Sequence, residues 1–413
     1  MNKELKLVIP ELRFDEPTGH WAITRVSKIC DVYRGSTFSK SDINEDGTEL
    51  CIHYGELFTK YSEIILDIYS RTDKKDGFRS ESGDILMPSS DVTPDGLAKA
   101  SAITLDDVLL GGDMNILRPK LRVNSIFLSY LLNHSKREII KLVSGTTVKH
   151  IYPKQIITCQ IPIVDNESQQ QKIADCLSSL DKLIVAHNKK LEALKDHKKG
   201  LLQNLFPQEG ETVPKVRFPE FEKDGEWVEK KLGEVGDPKM CKRIFKNQTT
   251  PNPEGGIPFY KIGTFGKEAD AYIPDDLYND YKENYNFPDK GDILISASGT
   301  IGRLVIYNGE PAYFQDSNIV WLEHDHSEVK NDFLYYCYSN IKWQTSDGGV
   351  IKRLYNTDLK NISIKFPKSE DEQIKISNCV ATIDAIINEQ VEKIDELRHH
   401  KKGLMQGLFP NLK

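Results

Sequence analysis

From Gln169 to Phe206 the chain is free of proline and places apolar residues at alternating steps of four and three. They are Ile173, Leu177, Leu180, Ile184, Leu191, Leu194, Leu201 and Leu205, with polar His187 and Lys198 at two of the steps. That spacing lays one stripe along one side of an α-helix. The pattern returns from Glu372 to Phe409, displaced by 203 positions without a gap. There the stripe reads Ile376, Val380, Ile383, Ile387, Ile394, Leu397, Leu404 and Leu408, with Gln390 and Lys401 at the polar steps. HKKGLLQNLFP (His197 to Pro207) and HKKGLMQGLFP (His400 to Pro410) close the two copies. A polar residue in a seam costs stability but fixes register, because a slipped pairing would bury it against apolar groups. The two helices are therefore predicted to pair with each other, each a rod of about 57 Å at 1.5 Å rise per residue. Ser168 with Gln171, and Ser369 with Glu372, read as capping boxes at the two starts.

Ahead of each helix lies a region of domain size, and these regions are diverged copies too. IPELRF and VPKVRF open them, followed by Trp21 and Trp227, each five residues before an apolar Val26 or Leu232. Short strand patterns come next, CIHYGELF and PFYKIGTF, then GDILMPSSD (Gly83 to Asp91) and GDILISASG (Gly291 to Gly299), strands entered through a Gly-Asp turn. GDMNILRP and QDSNIVWL follow, then helical FLSYLL and FLYYCY, then GTTVKHIY and GGVIKRLY. The framework repeats while residues 34–50 and 66–82 have no match in 243–256 and 272–290, as in two binding modules with different ligands. The predicted fold class is α+β: mixed α/β domains at 1–166 and 208–368, with long helices at 167–207 and 369–413. A domain with a radius of gyration of about 15 Å does not carry the chain back along such a rod, so the helix pair is expected to be an antiparallel coiled coil with a domain at each end.

Composition narrows the function. A net charge of −7 and a pI near 5.9 argue against a wholly basic nucleic-acid coat, while leaving room for local basic faces. Seven scattered cysteines without CxxC spacing indicate neither a disulfide framework nor zinc. No long apolar run and no signal-peptide pattern is found, so the chain is expected in the cytoplasm, without a membrane span. There is no Walker loop, no G-x-G-x-x-G after a strand, no HExxH and no GxSxG; catalytic and metal-ligating residues are not indicated. SGTIG (Ser298 to Gly302) reads equally as a phosphate cradle or a tight turn, and His324 with His326 as a solvated turn rather than a metal site.

Basic and aromatic residues gather in the loops instead. In the first domain these are Arg34, Lys40, His53, Tyr54, Lys74, Lys75, Arg79, Lys149 and His150, with Ser89 and Ser90 beside them. In the second they are Lys239, Lys242, Arg243, Lys246, Tyr260, Lys261, Arg303, Lys352 and Arg353, with Ser298 and Thr300. Lys and Arg neutralise phosphates, while Arg and Ser also read base edges. Any one of them fits an ordinary solvated surface; as two sets they point to contact with DNA.

The order of module, long helix, module, long helix, with PKSEDEQIKI leading into the second helix and KKGL(L/M)Q-x-LFP ending both, resembles the specificity subunit of type I restriction-modification enzymes. It departs from an even repeat at Gln169-Gln170, where the second copy has Glu372-Gln373. The resemblance implies a non-catalytic subunit with two target recognition domains reading the parts of a split double-stranded DNA sequence. The helix pair would be both spacer and docking surface for two methyltransferase subunits, and restriction or translocase subunits are further partners implied. It also implies that S-adenosylmethionine, and ATP with Mg for restriction, bind on those partners and not on this chain. The competing reading is a coiled-coil scaffold without DNA specificity.

Overall fold

In the computed structural model, which describes residues 9–15, 19–36, 38–341, 343 and 353–412, both GDIL segments are strands entered through glycines at φ 97°, Gly83 and Gly291. An L-residue with a side chain is disfavoured there. The strands themselves, Ile85–Pro88 and Ile293–Ser296, are buried at every position. The first is central in a five-stranded sheet with the order Cys30–Arg34, Met114–Pro119, Ile85–Pro88, Ser101–Ile103, Ile64–Ile65. The second lies in a four-stranded sheet with the order Asp237–Lys239, Ile319–Glu323, Ile293–Ser296, Leu304–Ile306. Four helices pack with these sheets: α1 (Ser125–His134), α2 (Glu167–Leu205), α3 (Asn331–Asn340) and α4 (Glu370–Leu408). The fold is α+β, with α2 and α4 each 39 residues long.

By packing, the chain forms two compact units that cut through both long helices: Met1–Lys190 with Val391–Lys413, and Leu191–Gln390. Each unit is thus a sheet domain, the first half of one long helix and the last half of the other. The core explains the exchange. In the first unit Trp21 and Phe127 meet Phe409, with ring centroids 6.3 and 5.6 Å from it. In the second, Trp227 and Phe333 meet Phe206 at 6.0 and 5.2 Å. Each LFP ending therefore supplies an aromatic ring to the domain of the other copy, a burial contributing about 1.5–3 kcal/mol. The entry segments latch onto the same endings: the Leu12 amide donates to the Gly407 carbonyl at 2.8 Å, and the Val216 amide to the Asn204 carbonyl at 3.0 Å.

The helix starts differ in part from the capping boxes read in the sequence. The cap of α2 is Asn166, whose Oδ1 accepts the Gln169 amide at 3.0 Å, and Ser168 lies inside the helix. Asn166 is the repeat mate of Ser369, whose Oγ accepts the Glu372 amide at 3.3 Å. Glu372 does not reach back to its cap. It is fully buried against Arg217, with both carboxylate oxygens held at 2.8 Å. The next residue is the one that is shared. Gln170 donates to the Val164 and Arg122 carbonyls and accepts the Asn124 amide. Gln373 does the same with Pro367, Glu328 and Lys330. Asn124 and Lys330 are the N-cap residues of α1 and α3, so one buried amide fixes the start of a long helix to the start of the short helix beside it.

The polar steps at Lys198 and Lys401 have a direct cause. In the first unit Lys401 Nζ lies 2.7 Å from Asp181 and 2.8 Å from Glu63, and the Tyr130 hydroxyl donates to Asp181. In the second, Lys198 Nζ lies 2.6 Å from Asp384, to which the Tyr336 hydroxyl donates at 3.1 Å. Within each unit the late turns of one long helix therefore lie against the early turns of the other, in antiparallel sense. Burial raises the Asp181 carboxyl above its usual range, with Lys401 acting against it. Of the apolar stripe, Ile173, Leu177, Leu191, Ile376, Val380, Ile394 and Leu397 are buried, while Leu180, Ile184, Leu194, Ile383 and Ile387 are half-buried. The seven cysteines are free.

These pairs differ in environment, and the difference is measurable. Lys401 is 12% exposed and faces two carboxylates, whereas Lys198 is 23% exposed and faces one. Lys401→Ala is expected to cost about 3 kcal/mol, because it leaves two half-buried acids uncompensated. Lys198→Ala is expected to cost about 1 kcal/mol. Urea unfolding of the two variants checks the order; equal losses would show that the second carboxylate is immaterial.

Candidate nucleic-acid interface

In the first unit Arg34, Ser90, Lys149 and His150 gather around the segment that leads into strand Met114–Pro119. Arg34 ends strand Cys30–Arg34 opposite Asn115. Its Nη2 lies 3.4 Å from Asp113 Oδ1, and its guanidinium stands over the Tyr152 ring at 5.6 Å. Tyr152 stacks on His150 at 5.7 Å, and Lys149–His150 pairs antiparallel with Ser90–Asp91. Asn115 binds this ribbon to the sheet by donating to the Ile151 carbonyl at 3.0 Å. His53 packs on Tyr54 at 4.6 Å; burial holds its imidazole below the usual value, with Glu56 acting against. Exposed Lys40 begins a short 3-10 turn, and Lys74 pairs with Asp42 of the same turn at 3.0 Å. Lys75 is exposed.

Two predicted residues serve the scaffold. Arg79 spends its donors on Glu49 at 2.9 Å, on the Asp107 side chain at 3.1 Å and on the Lys75 and Asp107 carbonyls. Ser89 is wholly buried, at the end of a strand covered on both faces, with its carbonyl accepting the Ile151 amide.

The second unit repeats the arrangement around residues 315–318. Arg243 Nε lies 2.9 Å from Asp316 Oδ2, and Asp316 is the repeat mate of Asp113. Arg353 donates to the Ser317 carbonyl, and Ser298 Oγ donates to Asn318 Oδ1 at 2.7 Å. Lys242 stands over the Tyr285 ring at 4.6 Å, and Lys246 opens an exposed 3-10 turn. Tyr260 stacks on Phe314 at 5.9 Å. Lys261 pairs with Asp270 at 2.8 Å, and Lys239 with Glu323 at 3.2 Å. Arg303 donates through Nη1 to the Phe265 carbonyl at 2.8 Å. SGTIG is a turn between the antiparallel strands Ile293–Ser296 and Leu304–Ile306: Ser296 Oγ donates to the Thr300 carbonyl, and Gly299 and Gly302 have positive φ. Thr300 is exposed there, and Lys352 lies outside the described residues.

Sequence reasoning passed over the two aspartates and four aromatic residues at these edges. Tyr152 is half-buried, whereas Phe245, Tyr285 and Tyr355 are exposed. Phe245 sits between Arg243 and Lys246, so its signal was an aromatic residue inside a basic run. Tyr152 and Tyr355 close the same repeated motif. His324 and His326 stay local, with His324 Nε2 2.8 Å from Asn331, and no cluster of metal-binding side chains is found among the described residues.

Comparison with known proteins bears on these edges. The family model described as "Type I restriction modification DNA specificity domain" matches twice, at residues 19–196 and 224–399. A Haemophilus influenzae protein named as a type I restriction enzyme specificity subunit is 53% identical over 161 residues, which cover 39% of this chain and 41% of that relative. The MjaX specificity subunit of Methanocaldococcus jannaschii, named likewise, is 31% identical over 321 residues, 73% of this chain and 71% of its own length. The crystal structure of a type I restriction-modification S subunit from M. genitalium shares the fold, with a TM-score of 0.62 over 98% of this chain and all of that one, at 17% identity. Among the described residues no helix is long and apolar enough to cross a membrane.

The contrast between free and committed basic residues gives a test with duplex DNA. Lys246→Ala is expected to weaken binding to all duplexes alike and to lower the slope of log affinity against log salt by about 0.9, the share of one phosphate contact. Arg79→Ala is expected to lower stability and leave that slope unchanged. Fluorescence anisotropy across a NaCl series distinguishes the two; a reduced slope for Arg79→Ala would overturn its assignment to the scaffold.

Proposed function

The chain belongs to the type I restriction modification DNA specificity family, and from that membership we propose that its two domains each read one part of a split duplex target. As a specificity subunit it recognises rather than catalyses. The observation that carries the reading is the matched pair of edges, Arg34 with Asp113 and Arg243 with Asp316, on shared frameworks whose other loops differ. Basic side chains there supply phosphate contacts, and the arginines and serines beside them supply base contacts. The recognition domains are residues 1–166 and 208–368. The helices at 167–207 and 369–413 act as spacer and as docking surface for two methyltransferase subunits, with restriction subunits joining them. S-adenosylmethionine, and ATP with Mg for restriction, are bound by those partners.

Two experiments test the proposal. Exchanging residues 208–367 for the matching region of a relative is expected to change one half of the methylated motif and keep the other, as mapped in a host that also expresses the methyltransferase. A change in both halves would exclude independent readout. Inserting four residues between Asp196 and His197, and four between His399 and His400, adds about one helical turn, or about 6 Å, to each helix and keeps the spacing of lysine and aspartate equal on the two. That is close to two base pairs at about 3.4 Å each, so the non-specific gap should lengthen while both half-sequences stay. An assembled, active variant with an unaltered gap would show that the helices do not set the spacing.

A further inference from the structure

The edge of the second unit holds one arginine by its Nε. Arg243 uses only its Nε, 2.9 Å from Asp316 Oδ2; neither terminal nitrogen has a partner among the described residues, and the side chain is 61% exposed. The guanidinium is planar, so fixing Nε aims the remaining Nη edge. That two-pronged edge matches the O6 and N7 acceptors of guanine in the major groove. The anchor is firm. Asp316 is only 14% exposed, and it stands in a turn fixed on every side. The Gln315 amide donates to the Tyr260 carbonyl, Gln315 Oε1 accepts the Ile262 amide, and the Asn318 amide donates to the Asp316 carbonyl. Ser317 takes φ 59°, a conformation uncommon for a residue with a side chain, and Arg353 donates to its carbonyl.

The corresponding pair in the first unit is built otherwise. Arg34 meets Asp113 through Nη2, a nitrogen of the fork itself, at 3.4 Å, and Asp113 is 49% exposed. Its guanidinium lies over Tyr152 rather than standing clear.

We propose that Arg243 reads a guanine in the major groove of the half-site bound by the second domain, and that Asp316 is the positioning residue that aims its fork. Asp316 makes no contact with DNA. It lowers the conformational cost of a bidentate contact that a free arginine would have to meet on binding. The inference rests on the proposed reading of the chain as a specificity subunit.

The test uses the full chain expressed with its methyltransferase in a host without competing methylation, and methylation mapping of the host genome. Asp316→Asn and Arg243→Lys are compared with the parent; the first removes the charged anchor, the second keeps the charge and removes the fork. Both are expected to make the same single G·C position degenerate, in one half of the motif, with every other position kept. Competition between duplexes differing at that position should show discrimination by the purified chain falling about tenfold or more. A merely structural role for Asp316 would lower thermal stability and methylation at all positions alike. Should Asp316→Asn fail to fold, Arg243→Lys decides. An unchanged motif for Arg243→Lys, a relaxed position that is not G·C, or relaxation scattered over both halves overturns the proposal. A parent chain that yields no split motif overturns the functional reading itself, and this inference with it.

Discussion

A charged lysine drawn out of water is costly unless a carboxylate meets it, and that requirement governs how the long helices are used. Lys401 finds Asp181 and Glu63, and Lys198 finds Asp384. In each pair a lysine near the end of one long helix meets an aspartate near the start of the other. Lys198 and Lys401 are repeat mates, as are Asp181 and Asp384, so each unit meets its lysine in the same antiparallel way. An apolar stripe alone tolerates sliding by a heptad; these charges do not, since a slip would leave each lysine buried among aliphatic side chains. The tyrosines that donate to both aspartates tie this register to α1 and α3 and so to the sheets behind them.

The same economy extends through each unit. Phe409 completes the rings of Trp21 and Phe127, and Phe206 those of Trp227 and Phe333. Gln170 and Gln373 then fix where each long helix leaves its domain. Recognition needs this stiffness, because side chains that read base edges must be held by a scaffold that does not yield when the loops meet DNA. Loops are free to vary only where the framework beneath them is over-determined.

Much of that framework was legible in the sequence because it is periodic and repeated. The stripes, the GDIL strands with their positive-φ glycines, and the interruptions at Lys198 and Lys401 all follow from local pattern. The partner of each lysine was not legible, since Asp181 and Asp384 lie on the polar flank of their helices, where a charge is ordinary. The cap of α2 was misplaced for a similar reason. Ser168 with Gln171 satisfies the spacing, but Asn166 caps two residues earlier, and only the alignment of Asn166 with Ser369 betrays it. At the edges, residue type singled out Arg34, His150, Arg243 and Arg353 as candidates. It could not separate Arg79, whose donors are consumed by Glu49 and Asp107, from an arginine free to bind. Nor could it flag Asp113 and Asp316, because acidic residues are not what a search for DNA contacts looks for.

Those aspartates bear on how a chain of net charge −7 reads DNA at all. A strongly basic surface would bind every duplex through its phosphates, and that attraction carries no sequence information. Pairing Arg34 and Arg243 with carboxylates removes much of their long-range pull on phosphate while leaving short-range hydrogen-bonding edges in place. Specificity is a difference between affinities, so lowering the non-specific term is as effective as raising the specific one. Arg243 illustrates the balance: Asp316 offsets its charge through Nε and leaves its fork without a partner among the described residues. An acidic specificity subunit is then consistent with selective DNA binding: exposed lysines such as Lys40, Lys75 and Lys246 are available to phosphates, while the charges of Arg34 and Arg243 are already answered.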